Sequence, residues 1–180
     1  MSERRLHTRE LPQAIAELRA GDSVLLSGEV YTARDAAHRR LCVLLQSSES
    51  LPFPLRGACL YYAGPTPTPP GGVIGSCGPT TSGRMDPYTP ALLEQGLCAM
   101  IGKGPRTEAV REAMLRHQAV YFCALGGAGA LAARCVTECR EIAFPELGCE
   151  SVKRLVLRDF PVITAIDTAG NCLEGREKER

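Results

Sequence analysis

Long apolar runs, blocks of like charge, closely spaced cysteine pairs and histidines are what this sequence lacks or has little of. No stretch approaches the roughly 20 consecutive apolar residues that a bilayer span needs, so a membrane-spanning helix is excluded and no membrane partner is expected. Lysine and arginine number 21 against 20 acidic residues, with no run of one sign, which leaves no electrostatic footprint for nucleic acid or an anionic surface. The three histidines, His7, His38 and His117, have no ligand spacing, so no metal site built by this chain alone is expected. Nine cysteines are present, yet no two form a Cys-x-x-Cys pair. Their odd number and the lack of a signal peptide ahead of them read as reduced thiols of a cytoplasmic protein, mostly small buried hydrophobes. There is no internal repeat.

What is there fits one domain spanning residues 1–180, with roughly ten N-terminal and eight C-terminal residues extended or frayed. "LPQAIAELRAGD" has helical apolar spacing and a Gly-Asp stop, and "SVLLSGEVY" reads as a strand with a Ser-Gly interruption. "TARDAAHRRLCVLL" follows as a helix, with Thr32 as N-cap and Asp35 as the capping-box acid. "GACLYYAG", "LCAMIG" and "AVYFCALG" read as strands, alternating with helices over "DPYTPALLEQG" and "RTEAVREAMLRH", which implies an α/β layer structure. "SVKRLVLRDF" and "PVITAIDTAGN" read as two further strands, the second closing in an Ala-Gly-Asn turn. Cys135 and Cys139 would lie one turn apart if their segment were helical.

The segment Pro65–Gly83, rich in Pro, Gly, Thr and Ser, is long for a connection, and loops of that length are usually functional or disordered. At its end "CGPTTSGRMD", Cys77 to Asp86, brings together two adjacent hydroxyls, Thr80 and Thr81, and Arg84. Arg34 falls in the first turn of its helix, where the macrodipole disfavours a cation unless an anion answers it, and His38 lies one turn on along the same face. Lys103 ends a strand in "IGKGP". Cations and hydroxyls at successive strand ends resemble a carboxylate-binding mouth, because ligands in open α/β sheets collect at such edges. For each cation alone the alternative is a solvated side chain. "GGAGALAA" satisfies a relaxed dinucleotide fingerprint through Gly127, Gly129 and Ala132, against a plain strand-to-helix turn in which glycines allow close packing. Cys77 with His38 as nucleophile and base has no orienting signature.

"GDSVLLSGEVYTARDAAHRR", "GPTTSGRMD", "IGKGP" and "VITAIDTAGN", in that order from Gly21 to Asn171, resemble the β subunit, or the fused C-terminal domain, of iron-sulfur class I fumarases and the related L-tartrate dehydratases. The resemblance implies a swivelling three-layer β/β/α domain and hydro-lyase chemistry. It implies reversible hydration of fumarate to L-malate, with L-tartrate dehydration or a noncatalytic anion-binding or assembly subunit as alternatives. It further implies a four-iron four-sulfur cluster held by a partner α subunit and none by this chain, a small dicarboxylate substrate, and homodimeric contacts or an α2β2 assembly. Carried over by motif, Thr80 is the proposed base, and Arg34, Arg84 and Lys103 bind carboxylate. His38 lies near the pocket, and Thr81 is a substrate neighbour or a loop-capping hydroxyl.

Overall fold

Three short apolar runs, Cys59–Tyr61 (β3), Ala99–Gly102 (β4) and Val120–Cys123 (β5), form the middle of the sheet, and their period-2 geometry sends neighbouring residues to opposite cores. Cys59, Tyr61, Ala99, Ile101, Val120 and Phe122 join one core. Leu60, Tyr62, Met100 and Tyr121 join the other. These strands run parallel beside Ser23–Thr32 (β2), which carries Arg4–His7 (β1) along the first half of the same edge. The computed structural model describes residues 3–173, so the "EGREKER" end lies outside the described residues.

Helices Asp35–Gln46 (α2), Thr89–Glu94 (α3) and Glu108–His117 (α4) cover the second core through Ala37, Leu41, Leu92, Leu93, Val110, Ala113 and Met114. The predicted N-terminal helix is a short α-turn, Leu11–Ala14 (α1), flanked by 3-10 turns that set Leu11, Ile15 and Leu18 in the first core. Residues 4–7, expected to be extended or frayed, are the strand β1.

The long antiparallel strand Val152–Ile166 (β7) closes the structure. It pairs with β5 at its C-terminal end, from Ile163 to Ile166, and with β2 along most of its length, so β2, β3, β4, β5 and β7 form a closed, barrel-like sheet around the first core. The two strands expected in this region are one strand crossing a bulge. Leu26 faces Phe160 and Gly28 faces Leu157, so β7 carries one more residue than β2 there, with Asp159 in the left-handed region at φ 48°. The extra residue changes the alternation from Leu155 and Leu157 to Phe160 and Val162, all of which point into the same core.

Two local expectations are corrected. Thr32 ends β2 instead of capping α2: its hydroxyl accepts from Lys153 N at 3.0 Å, and Arg34 is the N-cap residue. Glu150, remote in sequence, supplies the cap by accepting from Ala36 N at 2.9 Å. Cys135 and Cys139 do not share a helix, because Gly129–Arg134 (α5) stops at Cys135 and Cys139 lies in strand Val136–Ala143 (β6), paired with β7. Asp159→Val, with a β-branched side chain in a left-handed conformation, is expected to cost about 1–2 kcal/mol in urea unfolding, and Asp159→Asn less than about 0.5 kcal/mol. Equal losses would mean that the Arg5–Asp159 ion pair, and not the bulge geometry, sets the cost.

Candidate functional site

The parallel strands β2 to β5 all point their carboxyl ends the same way, and every candidate residue lies at that edge or beneath it. Arg34 follows β2, the Pro65–Gly83 loop leaves β3, and Lys103 follows β4. The loop returns to the sheet as a short extended stretch at the ends of β3 and β4. Thr80 N donates to Tyr62 O at 2.7 Å, Lys103 N to Thr80 O at 3.3 Å, and Ser82 N to Lys103 O at 2.9 Å. Tyr61 Oη anchors the start of the stretch on Cys77 O at 2.6 Å. The glycine-rich turn packs on the same stretch: Cys77 N donates to Gly129 O at 3.0 Å, and a β-carbon at Gly129 would overlap Ser76 Oγ. The backbone is close there too, since the same β-carbon would lie 3.1 Å from Gly78 N, so glycine fits at 129 without a shift of its neighbours.

Past Thr81 the chain makes a 3-10 turn, Ser82–Met85, whose fixing groups are buried. Ser82 Oγ lies 2.8 Å from Tyr121 Oη, which donates to Gly104 O, and any side chain at Gly102 would overlap Ser82 Oγ. Asp86 then receives Arg106 Nε at 2.7 Å and Thr107 N at 2.6 Å. Arg106 Nη2 donates to Thr89 Oγ1 at 2.9 Å, and the guanidinium carbon lies 5.4 Å from the Tyr62 ring centre and 5.1 Å from that of Tyr121. The side chains of this pair are 0% and 5% exposed. Burial alone would depress the Arg106 pKa, but Tyr62 and Asp86 outweigh it and the net shift is upward.

On this frame the predicted residues converge. Arg84 donates from Nε to Asp35 Oδ1 at 2.8 Å and from Nη2 to Asp35 Oδ2, while Nη1 lies 3.4 Å from Thr80 Oγ1. Arg34 lies across Gly64, where a β-carbon would come within 2.7 Å of its Nη1, and between Asp35 Oδ2 at 3.9 Å and Glu150 Oε1 at 3.6 Å. Its buried Nε has no hydrogen-bond partner. The Arg84 hydrogen bonds hold the Asp35 carboxyl below the usual carboxylate range. The Lys103 side chain runs beside Gly126, and no carboxylate among the described residues pairs with it. Thr81 is exposed and makes no side-chain cap, although it stands at the N-cap of the 3-10 turn.

His38 is under the site, not in its mouth. It is fully buried, its Nδ1 lies 2.9 Å from Arg34 O, and its ring meets the Tyr62 ring edge-on at 5.2 Å. Burial, with Arg106 nearby, pushes its pKa down to about 4, so the ring is neutral and donates from Nδ1 to the backbone of the arginine above. Cys77 lies in the other core, with its thiol pushed up to about 12 by burial, so the sheet separates it from His38 and no thiol-base pair forms. Asp35, Asp86, Arg106 and Glu150 were not singled out from sequence as parts of a site. Asp35 and Asp86 directly follow Arg34 and Met85 in the quoted motifs, but nothing local marks Arg106 or Glu150.

Arg106→Met is expected to leave the Asp86 carboxylate buried and unpaired, and to lower unfolding free energy by about 3–5 kcal/mol in urea titration. A loss under about 1 kcal/mol would show that water replaces the guanidinium. The His38 shift has a definite sign. A folded-state pKa of about 4 against the ordinary 6.5 means that the unfolded chain binds the proton more readily. This stability is complete above pH 6.5 and lost as the pH falls to about 4, on the order of 3 kcal/mol in all. The advantage of the parent over His38→Asn in thermal melts should therefore shrink across that window, and a constant gap would contradict it.

Comparison with known proteins gives the chain a family. The family described as "Fumarase C-terminus" matches residues 2–175. "Fumarate hydratase 2" of Leishmania major is 36% identical over 161 residues, covering 88% of this chain and 28% of that protein. "Fumarate hydratase class I, aerobic" of Salmonella typhimurium is 35% identical over 164 residues, with 90% and 28% covered. The protein named "Putative L(+)-tartrate dehydratase subunit beta" in Methanocaldococcus jannaschii is 36% identical over 165 residues, with 88% and 85% covered. The chain thus spans under a third of the two fumarate hydratases and most of the subunit. With a family match along nearly its whole length and relatives at 35–36% identity over most of the chain, the chain belongs to the fumarase C-terminal family.

Proposed function

We propose that this chain is the β-type part of an iron-sulfur hydro-lyase, most directly one that hydrates fumarate reversibly to L-malate, acting with a larger α subunit in the cytoplasm. The observation that carries the reading is the convergence of Thr80, Arg84, Arg34 and Lys103 at one sheet edge, with the Thr80 hydroxyl facing a guanidinium. In this reading residues 1–180 act as one swivelling three-layer β/β/α domain that brings the edge to its partner, in homodimeric contacts or an α2β2 assembly. The tartrate reading is supported by the relative that the chain matches over most of its own length, a tartrate dehydratase β subunit by name.

The buried cysteines Cys59, Cys77 and Cys98 are poorly suited to hold a four-iron four-sulfur cluster. Cluster ligands are thiolates, whereas burial pushes the Cys77 and Cys98 thiols up to about 12 and raises Cys59 well above the ordinary thiol value. Among the described residues no three His, Cys, Asp or Glu side chains form a metal-holding group. In this reading the cluster is held by the α subunit. This chain supplies charge and proton transfer. Removing a proton beside a carboxylate moves negative charge onto that carboxylate, and Arg34 and Lys103, fixed at the edge, stabilise it as it develops. A threonine can take a proton only as its alkoxide, after its own proton has gone to solvent, and a nearby cation favours that form by lowering the hydroxyl pKa, a position that Arg84 Nη1 occupies.

The assembled enzyme is expected to turn over fumarate and malate, and the isolated chain to be colourless and inactive. An iron-sulfur absorbance band in the isolated chain, or a stable complex without turnover on fumarate, malate or tartrate, would count against the reading. The latter result would favour a noncatalytic anion-binding subunit. Thr80→Ala should lower kcat by about a hundredfold and slow exchange of the malate C3 proton with deuterated solvent equally. Parent-rate exchange would move the base elsewhere. Thr81→Ala, which removes no hydrogen bond of the loop, should change stability by less than about 0.5 kcal/mol.

A further inference from the structure

The sequence offers Arg84 as a fork for a substrate carboxylate, yet in the folded chain that fork is taken. Its Nε and Nη2 edge, the one suited to two parallel bonds, grips both oxygens of Asp35. Only Nη1 is left free of the carboxylate, and it is the nitrogen that faces Thr80 Oγ1. Asp35 is the first residue of α2 and is itself restrained, since Arg34 Nε approaches its Oδ2 and Glu150 caps the next residue. The Arg84 side chain is nearly half exposed and follows a Ser-Gly step, so without Asp35 little else along its length would fix it.

We propose that Asp35 is a positioning residue: it holds the Arg84 fork so that Nη1 is directed at Thr80, and it acts on the reaction only through that arginine. The proposal rests on the reading of Thr80 as the proton acceptor. Two effects of the carboxylate oppose each other. Its negative charge weakens the field of Arg84 at the hydroxyl, whereas its two hydrogen bonds fix where that field is applied. If charge neutralisation dominated, removing the charge would sharpen the field and kcat would hold or rise. If positioning dominates, kcat falls although a negative charge has been taken away from the site.

The test uses the enzyme assembled with its α subunit and the variants Asp35→Asn, Arg84→Lys and both together. Asp35→Asn is expected to lower kcat by about tenfold or more with KM for malate changed less than about threefold, because the lost quantity is orientation at Thr80. The double variant should lose little beyond the worse single, since both break one interaction. A kcat that holds or rises in Asp35→Asn, or losses that multiply in the double variant, would overturn the proposal. A second readout needs no turnover: the Arg84 Nε proton, identified in nitrogen-15 spectra of the 180-residue chain by its absence in Arg84→Lys, should exchange with solvent about tenfold faster in Asp35→Asn. Exchange at the parent rate would show that Asp35 does not hold the fork. Absence of hydro-lyase activity in the parent complex would remove the functional reading instead, and the exchange rates would still decide whether Asp35 anchors Arg84.

Discussion

A guanidinium enclosed between two phenol rings holds this site together. Arg106 is bonded to Asp86 at the end of the threonine loop and to Thr89 at the start of α3, and it lies over Tyr62 from the end of β3 and Tyr121 from β5. Tyr62 accepts the backbone of Thr80, and Tyr121 holds Ser82. One buried cation thus touches four of the residues that surround and fix the end of the loop. Such a pair is weak evidence for net stability, because desolvation offsets most of the attraction, but removing one member is costly, so the arrangement resists partial solutions.

The parts of the fold that were legible are those whose signal is local. Both faces of β3, β4 and β5 are buried, so their apolar runs stand out, and the helices between them carry apolar stripes that match the second core. The sequence divides this strand into "SVKRLVLRDF" and "PVITAIDTAGN", with the break between Phe160 and Pro161, just past the bulge at Asp159. The chain in fact continues, since β2 pairs with it on both sides of the interruption, with the register shifted by one residue at the bulge. β6 was not read as a strand at all. Its residues "VTECREIA" alternate poorly, and only pairing with β7 makes them extended.

For the site, position along the chain was readable and role was less so. Thr80, Arg84, Arg34 and Lys103 were marked by motif and strand-end placement, and the structure brings them to one edge. The carboxylates that aim the arginines were not read that way, because an Asp beside an Arg reads equally as a solvated pair, and Glu150 reaches α2 across 114 residues. His38 shows the same limit. Its helical spacing from Arg34 was visible, but whether the ring faces solvent or the core depends on Tyr62 and Tyr88, which come from other segments.

The stretch that carries Thr80 is held by main-chain bonds at the ends of β3 and β4, to Tyr62 on one side and to Lys103 on the other. This has a consequence for how tightly a small diacid can be held. Ordering a free loop around a ligand costs roughly 1–2 kcal/mol for each residue whose backbone must be fixed. Here that conformational entropy is already lost when the chain folds, so the attraction of the edge for an anion is not diminished by it. A molecule with few atoms has little surface to offer, and a rigid seat of this kind lets those few contacts count almost in full.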